Sequence, residues 1–230
     1  MNRMRALLRL LLVVLPWNMA HAAANPEQLL QQYSPVLHRE YVAFAAYHVQ
    51  LRTYATNQGF TLPVENLATV VHEIIHIASA AHQGYLIDGI YYEPYLRRDA
   101  WPTLGNKDMA AYIPDRERGN IYNSYVLSTP QNHLGNIVDE INAYGHVAAF
   151  VCRYEPAAAG KQTTNLMGFL QLEESYLRTL RTRQPAEYRR LVANKEARGA
   201  LLLATQRAWD ALRACGVPEN QIPTIEGNLL

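Results

Sequence analysis

Two histidines four residues apart, with a glutamate directly after the first, are the residues of this chain best suited to chemistry. His72, Glu73 and His76 lie in the stretch TVVHEIIHIASAAHQG, where aliphatic side chains flank them on both sides. Residues i and i+4 of a helix project from one face, so both imidazoles can reach the same metal ion. Burying two imidazoles and a carboxylate among isoleucines is costly unless something pairs with them. The stretch therefore predicts a metal site.

The residue between the two ligands has a different predicted role. Glu73 is rotated by about 100° around the helix from His72, so it can stand beside the ion without binding it. From there it can take a proton from a water molecule whose pKa zinc lowers to about 7. The spacing thus predicts His72 and His76 as zinc ligands and Glu73 as a general base, which is the chemistry of an HExxH pattern.

A catalytic zinc ion needs a third protein ligand and one open position. Glu140, in GNIVDEINAYGHVAAF, is the preferred candidate, because it lies on an apolar face where a carboxylate needs a partner. Asp139 lies on a smaller and more polar face, so a solvated or helix-capping role is expected for it. The residues that share the face of Glu140 are Ile137, Tyr144, Val147 and Val151.

An HExxH helix followed by a glutamate on a later helix resembles the gluzincin metallopeptidases, over these two helical stretches alone. The resemblance implies a zincin-like domain that hydrolyses peptide bonds, with Glu73 passing a proton to the leaving amine. It also implies a tyrosine or histidine that donates to the oxyanion, for which Tyr144 is the named candidate. Other eligible residues are His146, Tyr91, Tyr92, Tyr95, Tyr122 and Tyr125.

Some gluzincins carry an aspartate four residues after the ligand glutamate, where it orients a zinc histidine. This sequence has Tyr144 at that position. Asp139 and Asn142 are therefore the candidates for the supporting residue.

His82 is an alternative third ligand. The spacing in HEIIHIASAAH resembles the metzincin pattern, although that family has a glycine where this chain has Ser79. Met167, in TNLMGF, resembles the Met-turn of the same family but also fits an apolar helical stripe. The sequence leaves Glu140 and His82 both open, with continued helix through IASAAH favouring Glu140.

Two rival classes remain beside the hydrolase. Residues 73 to 76 supply one Glu-x-x-His of a di-iron carboxylate bundle, but the chain has no second copy. The other rival is a non-catalytic protein that a metal staples together, with a tyrosine-rich loop contacting a partner.

The first 24 residues have the features of a secretory signal peptide. Arg3, Arg5 and Arg9 accompany the apolar run LLRLLLVVLPW, and AHAAA offers cleavage after Ala22 or Ala24. The run is shorter than the roughly 20 apolar residues of a membrane span, so no transmembrane segment is expected after cleavage. The predicted location is the periplasm or the outside of the cell.

Export also bears on the two cysteines. Cys152 and Cys215 are an even pair in an oxidising compartment, which predicts a disulfide, with two buried free thiols as the alternative. Such a bond would close a loop of about 64 residues and contribute roughly 4 kcal/mol.

Composition limits the partners. The chain has 230 residues with a net charge of +1 and no basic patch, so nucleic acid is not an expected partner. Proteins, peptides and peptidoglycan cross-links are all plausible substrates for an exported peptidase. Residues 25–230 are expected to form one zincin-like domain.

The elements expected to hold these residues are mostly helices. One helical stretch should run from Asn25 to Gly59, with Pro35 kinking or splitting it. A second should run from Pro63 to about Gln83, with Gly84 as its C-terminal cap.

Residues 85–132 are expected to be the least helical part and to form a long tyrosine-rich loop over the metal site. Within them, Asp88-Gly89 predicts a type I′ hairpin as the one β element. A third helix, capped by Thr129 or Asn132, should carry Glu140, and two further helices should follow.

Overall fold

The computed structural model describes residues 25–105, 108, 110, 113, 120–128 and 131–225. The predicted signal peptide lies outside these residues. The described chain is mostly helical, as predicted, and has two small two-stranded antiparallel sheets rather than one. None of its described helices combines the length and the apolar character that crossing a membrane requires.

The first helical stretch is divided into three α-helices. Pro35 splits it, because Ser34 takes an extended conformation (φ −149°) and its hydroxyl caps the next helix by accepting from the Leu37 N–H. A short 3₁₀ turn at Ala45–Tyr47 makes a second break that the sequence analysis did not predict. The three helices are α1 (Pro26–Tyr33), α2 (Pro35–Ala43) and α3 (His48–Asn57).

The helix with the paired histidines, α4 (Pro63–His82), ends one residue earlier than expected. Gln83, and not Gly84, adopts the left-handed conformation that stops it (φ 54°). Gly84 is needed for a different reason: a Cβ there would lie 2.9 Å from the Tyr91 Cβ. The predicted cap at Gly84 is therefore wrong, and this glycine instead allows the following hairpin to approach closely.

The predicted hairpin is confirmed. Strands β1 (Tyr85–Ile87) and β2 (Ile90–Tyr92) pair with Ile87 opposite Ile90. Asp88 (φ 50°) and Gly89 (φ 84°) supply the two positive φ angles that a type I′ turn requires.

A second antiparallel pair joins β3 (Thr103–Gly105) to β4 (Gln131–His133). Asn132 pairs with Leu104 in this ladder, so the expectation that it caps a helix is wrong. Thr129, the other predicted cap, lies outside the described residues. Between these strands, Asn120–Tyr122 and a π-type turn at Asn123–Leu127 form a short helical segment.

The second half of the described chain contains four α-helices: α5 (Leu134–Tyr154), α6 (Ala159–Arg183), α7 (Pro185–Ala193) and α8 (Lys195–Ala214). Helix α5 contacts α4 on one side and the two later long helices on the other, and both hydrophobic clusters include residues from it. Cys152 at its end is bonded to Cys215 with an S–S distance of 2.07 Å, so the predicted disulfide is present.

Candidate metal centre

The contact between α4 and α5 brings three predicted ligands together. His72 Nε2 lies 3.1 Å from His76 Nε2 and 3.4 Å from Glu140 Oε2, and His76 Nε2 lies 3.8 Å from the same oxygen. A tetrahedral zinc ion with bonds of about 2.0–2.1 Å holds its donor atoms about 3.3 Å apart. The three donors are therefore spaced as one small cation requires, and this group could hold a metal ion.

Glu140 is in the charge state that binds a cation, whereas His76 must release a proton when it binds one. Burial opposes ionisation of Glu140, but the hydrogen bond to His72 and the charge of His76 outweigh it and lower the pKa of Glu140 to about 2. Burial likewise opposes protonation of His76, but Asp139 and Glu140 outweigh it and raise the pKa of His76. Glu140 is thus ionised at neutral pH, which is the form that binds metals.

Asp139 supports one of the two histidines. The His76 Nδ1–H donates to Asp139 Oδ2 at 2.8 Å, and the Tyr95 hydroxyl donates to the same oxygen at 2.9 Å. The solvated or capping role expected for Asp139 is wrong, since the residue is only 7% exposed and lies in the second turn of α5, past the capping positions. Its other predicted role, as a candidate for the residue that supports a histidine, agrees with this contact. Its bond to Nδ1 leaves Nε2 of His76 facing the other two ligands.

Asn142, the other candidate for this support, does not take part in it. The residue is fully buried, and neither polar atom of its side chain has a hydrogen-bond partner among the described residues. Of the two candidates, Asp139 is therefore the one that supports a histidine.

A tyrosine of the loop region contacts Glu140. Tyr125, in the π-type turn, donates its hydroxyl to Glu140 Oε1 at 2.5 Å, which leaves Oε2 directed at the histidines. Tyr95 and Tyr125 thus bring two parts of the tyrosine-rich region against α5. Tyr91 is engaged elsewhere, since its hydroxyl donates to Glu40.

Tyr144 lies beside His72, with ring centroids 4.4 Å apart. Its hydroxyl accepts a hydrogen bond from Asn165 Nδ2 at 3.0 Å, and burial with the nearby charge of Glu140 raises its pKa. The hydroxyl therefore stays protonated at neutral pH and keeps its own proton available for donation.

A small pocket of about 50 Å³ adjoins the ligands. Glu73 lines it, is half-buried, and makes no hydrogen bond or ion pair with any residue in the described part of the chain. Its carboxylate is therefore uncommitted beside the candidate metal centre. The other lining residues are Tyr54, Phe60, Thr69, His72, Tyr144 and Gln162.

The structure does not bring His82 to this group. Helix α4 continues through Ser79 without a turn, and His82 lies exposed at its end with its ring 4.1 Å from that of Tyr91. Met167 lies within the helix α6, so it forms no Met-turn. The geometry therefore favours Glu140 over His82.

The sequence analysis did not identify Gln162, a buried polar residue that lines the pocket. Gln162 is 2% exposed, and the residues four and seven positions later, Leu166 and Phe169, are buried core residues. That helical spacing places Gln162 on the apolar stripe of α6 and was a readable signal that it is buried. Tyr95 carried no such signal, because it lies in an irregular segment.

Comparison of the chain with protein-family models, curated proteins and solved structures finds no match.

Proposed function

We propose that this protein is an exported zinc-dependent hydrolase, most specifically a gluzincin-like metallopeptidase. The observation that carries the proposal is the convergence of His72, His76 and Glu140 next to the uncommitted carboxylate of Glu73. Two imidazoles and one carboxylate are a donor set typical of catalytic zinc, with a fourth position left for water or substrate. The Cys152–Cys215 disulfide supports export, because such bonds persist in oxidising compartments.

When bound, zinc would supply Lewis-acid chemistry, polarising a substrate carbonyl and lowering the pKa of water to about 7. Glu73 takes the proton of the attacking water and returns it to the nitrogen of the leaving amine. Tyr144 borders the same pocket and is the candidate donor to the oxygen that becomes negative during the attack. Asp139 keeps the His76 ring in the orientation that binding needs.

The substrates that fit this chemistry are proteins, peptides and the peptide cross-links of peptidoglycan. Water attack at a polarised amide carbonyl is common to all of them. The rival function is a metal-stapled binding protein, in which the same ligands would bind zinc without catalysis.

The substitution Glu73→Gln tests the proposal. The variant should bind one zinc ion as the wild type does, since Glu73 lies outside the three-ligand group, while its hydrolysis of a mixed peptide library falls by about 10²–10⁴-fold. Zinc content and cleavage products would be measured on the same samples. Glu196→Gln, at an exposed position at the start of α8, is the matched control and should change neither.

Full activity in Glu73→Gln would contradict the proposal. A wild-type protein that binds zinc, cleaves no member of the library and is unaffected by Glu73→Gln would establish the binding-protein alternative instead.

A further inference from the structure

The two histidines of the candidate metal centre differ in how their second ring nitrogens are held. His76 Nδ1 donates to Asp139, whereas His72 Nδ1 is buried without a hydrogen-bond partner among the described residues. Once Nε2 of His72 binds an ion, Nδ1 must carry the proton. Histidine ligands almost always donate that N–H to a fixed acceptor, so His72 requires one.

A matching acceptor lies on another helix. Gln162, in the first turn of α6, is 2% exposed, and its carboxamide oxygen Oε1 is also buried without a partner in the described part of the chain. Buried polar atoms are normally paired, directly or through water. One unpaired donor and one unpaired acceptor therefore border the same small pocket.

The pocket has the right size for a bridge between them. A cavity that holds one buried water needs a volume of about 10–15 Å³, and this pocket has a volume of about 50 Å³. Two other polar groups at its wall are already engaged: the Thr69 hydroxyl donates to the Glu65 carbonyl, and the Tyr144 hydroxyl accepts from Asn165. The Glu73 carboxylate also lines the pocket without a partner among the described residues, but it is only half-buried. Gln162 Oε1 remains as the buried acceptor without a partner.

We propose that Gln162 is a positioning residue for the metal centre, accepting a hydrogen bond from His72 Nδ1–H through one water in this pocket. The inference rests on the proposed metal site but not on peptidase activity. It means that α5 orients one histidine through a charged carboxylate, while α6 orients the other through a neutral amide. Both later helices then contribute to the geometry that α4 presents to the ion.

Zinc affinity of two Gln162 variants tests this proposal on the full chain. Gln162→Leu removes the acceptor while nearly keeping the side-chain volume, and it should weaken zinc binding by about 10–100-fold in a chelator competition assay. Gln162→Glu keeps an acceptor oxygen and should bind zinc at least as tightly as the wild type. Thr69→Val, which removes the neighbouring hydroxyl from the same pocket, is the control and should leave affinity unchanged.

A second measurement separates positioning from simple packing. In the zinc-loaded wild type, NMR of the imidazole N–H groups should show the His72 Nδ1 proton protected from solvent exchange, and Gln162→Leu should remove that protection. Thr69→Val should preserve it. If Gln162→Leu does not fold, Gln162→Met takes its place, because the flexible methionine fills irregular space without an acceptor of comparable strength.

Two results would overturn the inference. One is unchanged zinc affinity and an unchanged His72 signal when the acceptor is removed. The other is equal weakening in Gln162→Leu and Gln162→Glu, which would show that shape rather than the acceptor matters. Failure of the wild type itself to bind zinc would instead refute the proposed metal site, and the inference with it.

Discussion

Asp139 and Glu140 are neighbours in the chain, yet their carboxylates have different partners. About 100° of helical rotation separates them, so Glu140 faces both histidines while Asp139 reaches the far nitrogen of His76. The sequence placed Glu140 correctly beside the histidines because a carboxylate on an apolar stripe stands out. It named Asp139 only as one of two candidates for the supporting residue, because that role depends on how α5 is rotated against α4 and on Tyr95 from a distant loop.

Removing the charge of Asp139 tests its role as the residue that orients His76. Asp139→Asn should weaken zinc binding by about 10–100-fold, since the ring of His76 loses its carboxylate partner. The check is a chelator competition titration at fixed pH. Asp99→Asn, at an exposed residue paired with Arg97, is the control, and equal affinity in the two variants would contradict the assigned role.

At the scale of elements, the start of α5 depends on a close approach that only glycine allows. A Cβ on Gly135 would lie 2.8 Å from Trp101 Cδ1 and 2.9 Å from the Tyr85 hydroxyl oxygen, and both side chains are fully buried. The Tyr85 hydroxyl also donates to the Gly135 carbonyl. Aromatic side chains from the region between α4 and α5 thus fix the first turn of α5, the helix that carries Glu140.

Gly135→Ala should therefore lower the free energy of unfolding by about 1–3 kcal/mol, because rigid buried neighbours cannot move aside. Urea denaturation would measure the loss. Gly160→Ala is the matched control in α6, where an added Cβ meets nothing within 4 Å and should be neutral or stabilising by up to about 1 kcal/mol. Equal stability of the two variants would contradict the packing argument.

The contact between α6 and α8 contains a buried acid. Glu173 is fully buried, and both carboxyl oxygens lie 3.1 Å from Thr205 Oγ1. Burial raises the pKa of Glu173 to about 8, although the contact with Thr205 opposes the shift. Its place four residues after Phe169 on the apolar stripe could have identified it from the sequence.

The raised pKa predicts a specific pH dependence of stability. The folded state holds the Glu173 proton more tightly than the unfolded chain does, so this contribution is complete below about pH 4.5. It is lost as the pH rises toward 8, by about 1.4 kcal/mol for each pH unit. Glutamine does not titrate, so the Glu173→Gln variant does not lose this stability as the pH rises. Its free energy of unfolding, measured by urea denaturation, should therefore increase relative to that of the wild type between pH 5 and pH 8. A difference independent of pH would contradict a protonated Glu173.

At the scale of the whole molecule, α5 joins two hydrophobic clusters, and the disulfide links its end to the end of α8. The cysteine pairing followed from the even count and the predicted export, and the structure confirms it with a Cα–Cα distance of 5.3 Å. The β3–β4 pair could not be foreseen in the same way. Its strands are three residues each and lie far apart in the sequence, so no local pattern marks the pairing.

The double variant Cys152→Ala/Cys215→Ala should lower the free energy of unfolding by about 4 kcal/mol, because the unfolded chain regains the entropy of a long loop. Zinc affinity should not change, since roughly 18 Å of helix separates Cys152 from Glu140. Denaturation and zinc titration on one preparation would check both parts. A large loss of zinc affinity in a folded variant would contradict the independence of the two ends of α5.

The most direct test of the central claim is the zinc content of the purified protein and of two variants, measured by metal analysis with a competing chelator. The wild type should bind one zinc ion per chain, Glu140→Ala should lose it, and His82→Ala should keep it. Loss of zinc in His82→Ala with retention in Glu140→Ala, or no zinc in the wild type, would contradict the assignment of His72, His76 and Glu140 as the metal ligands.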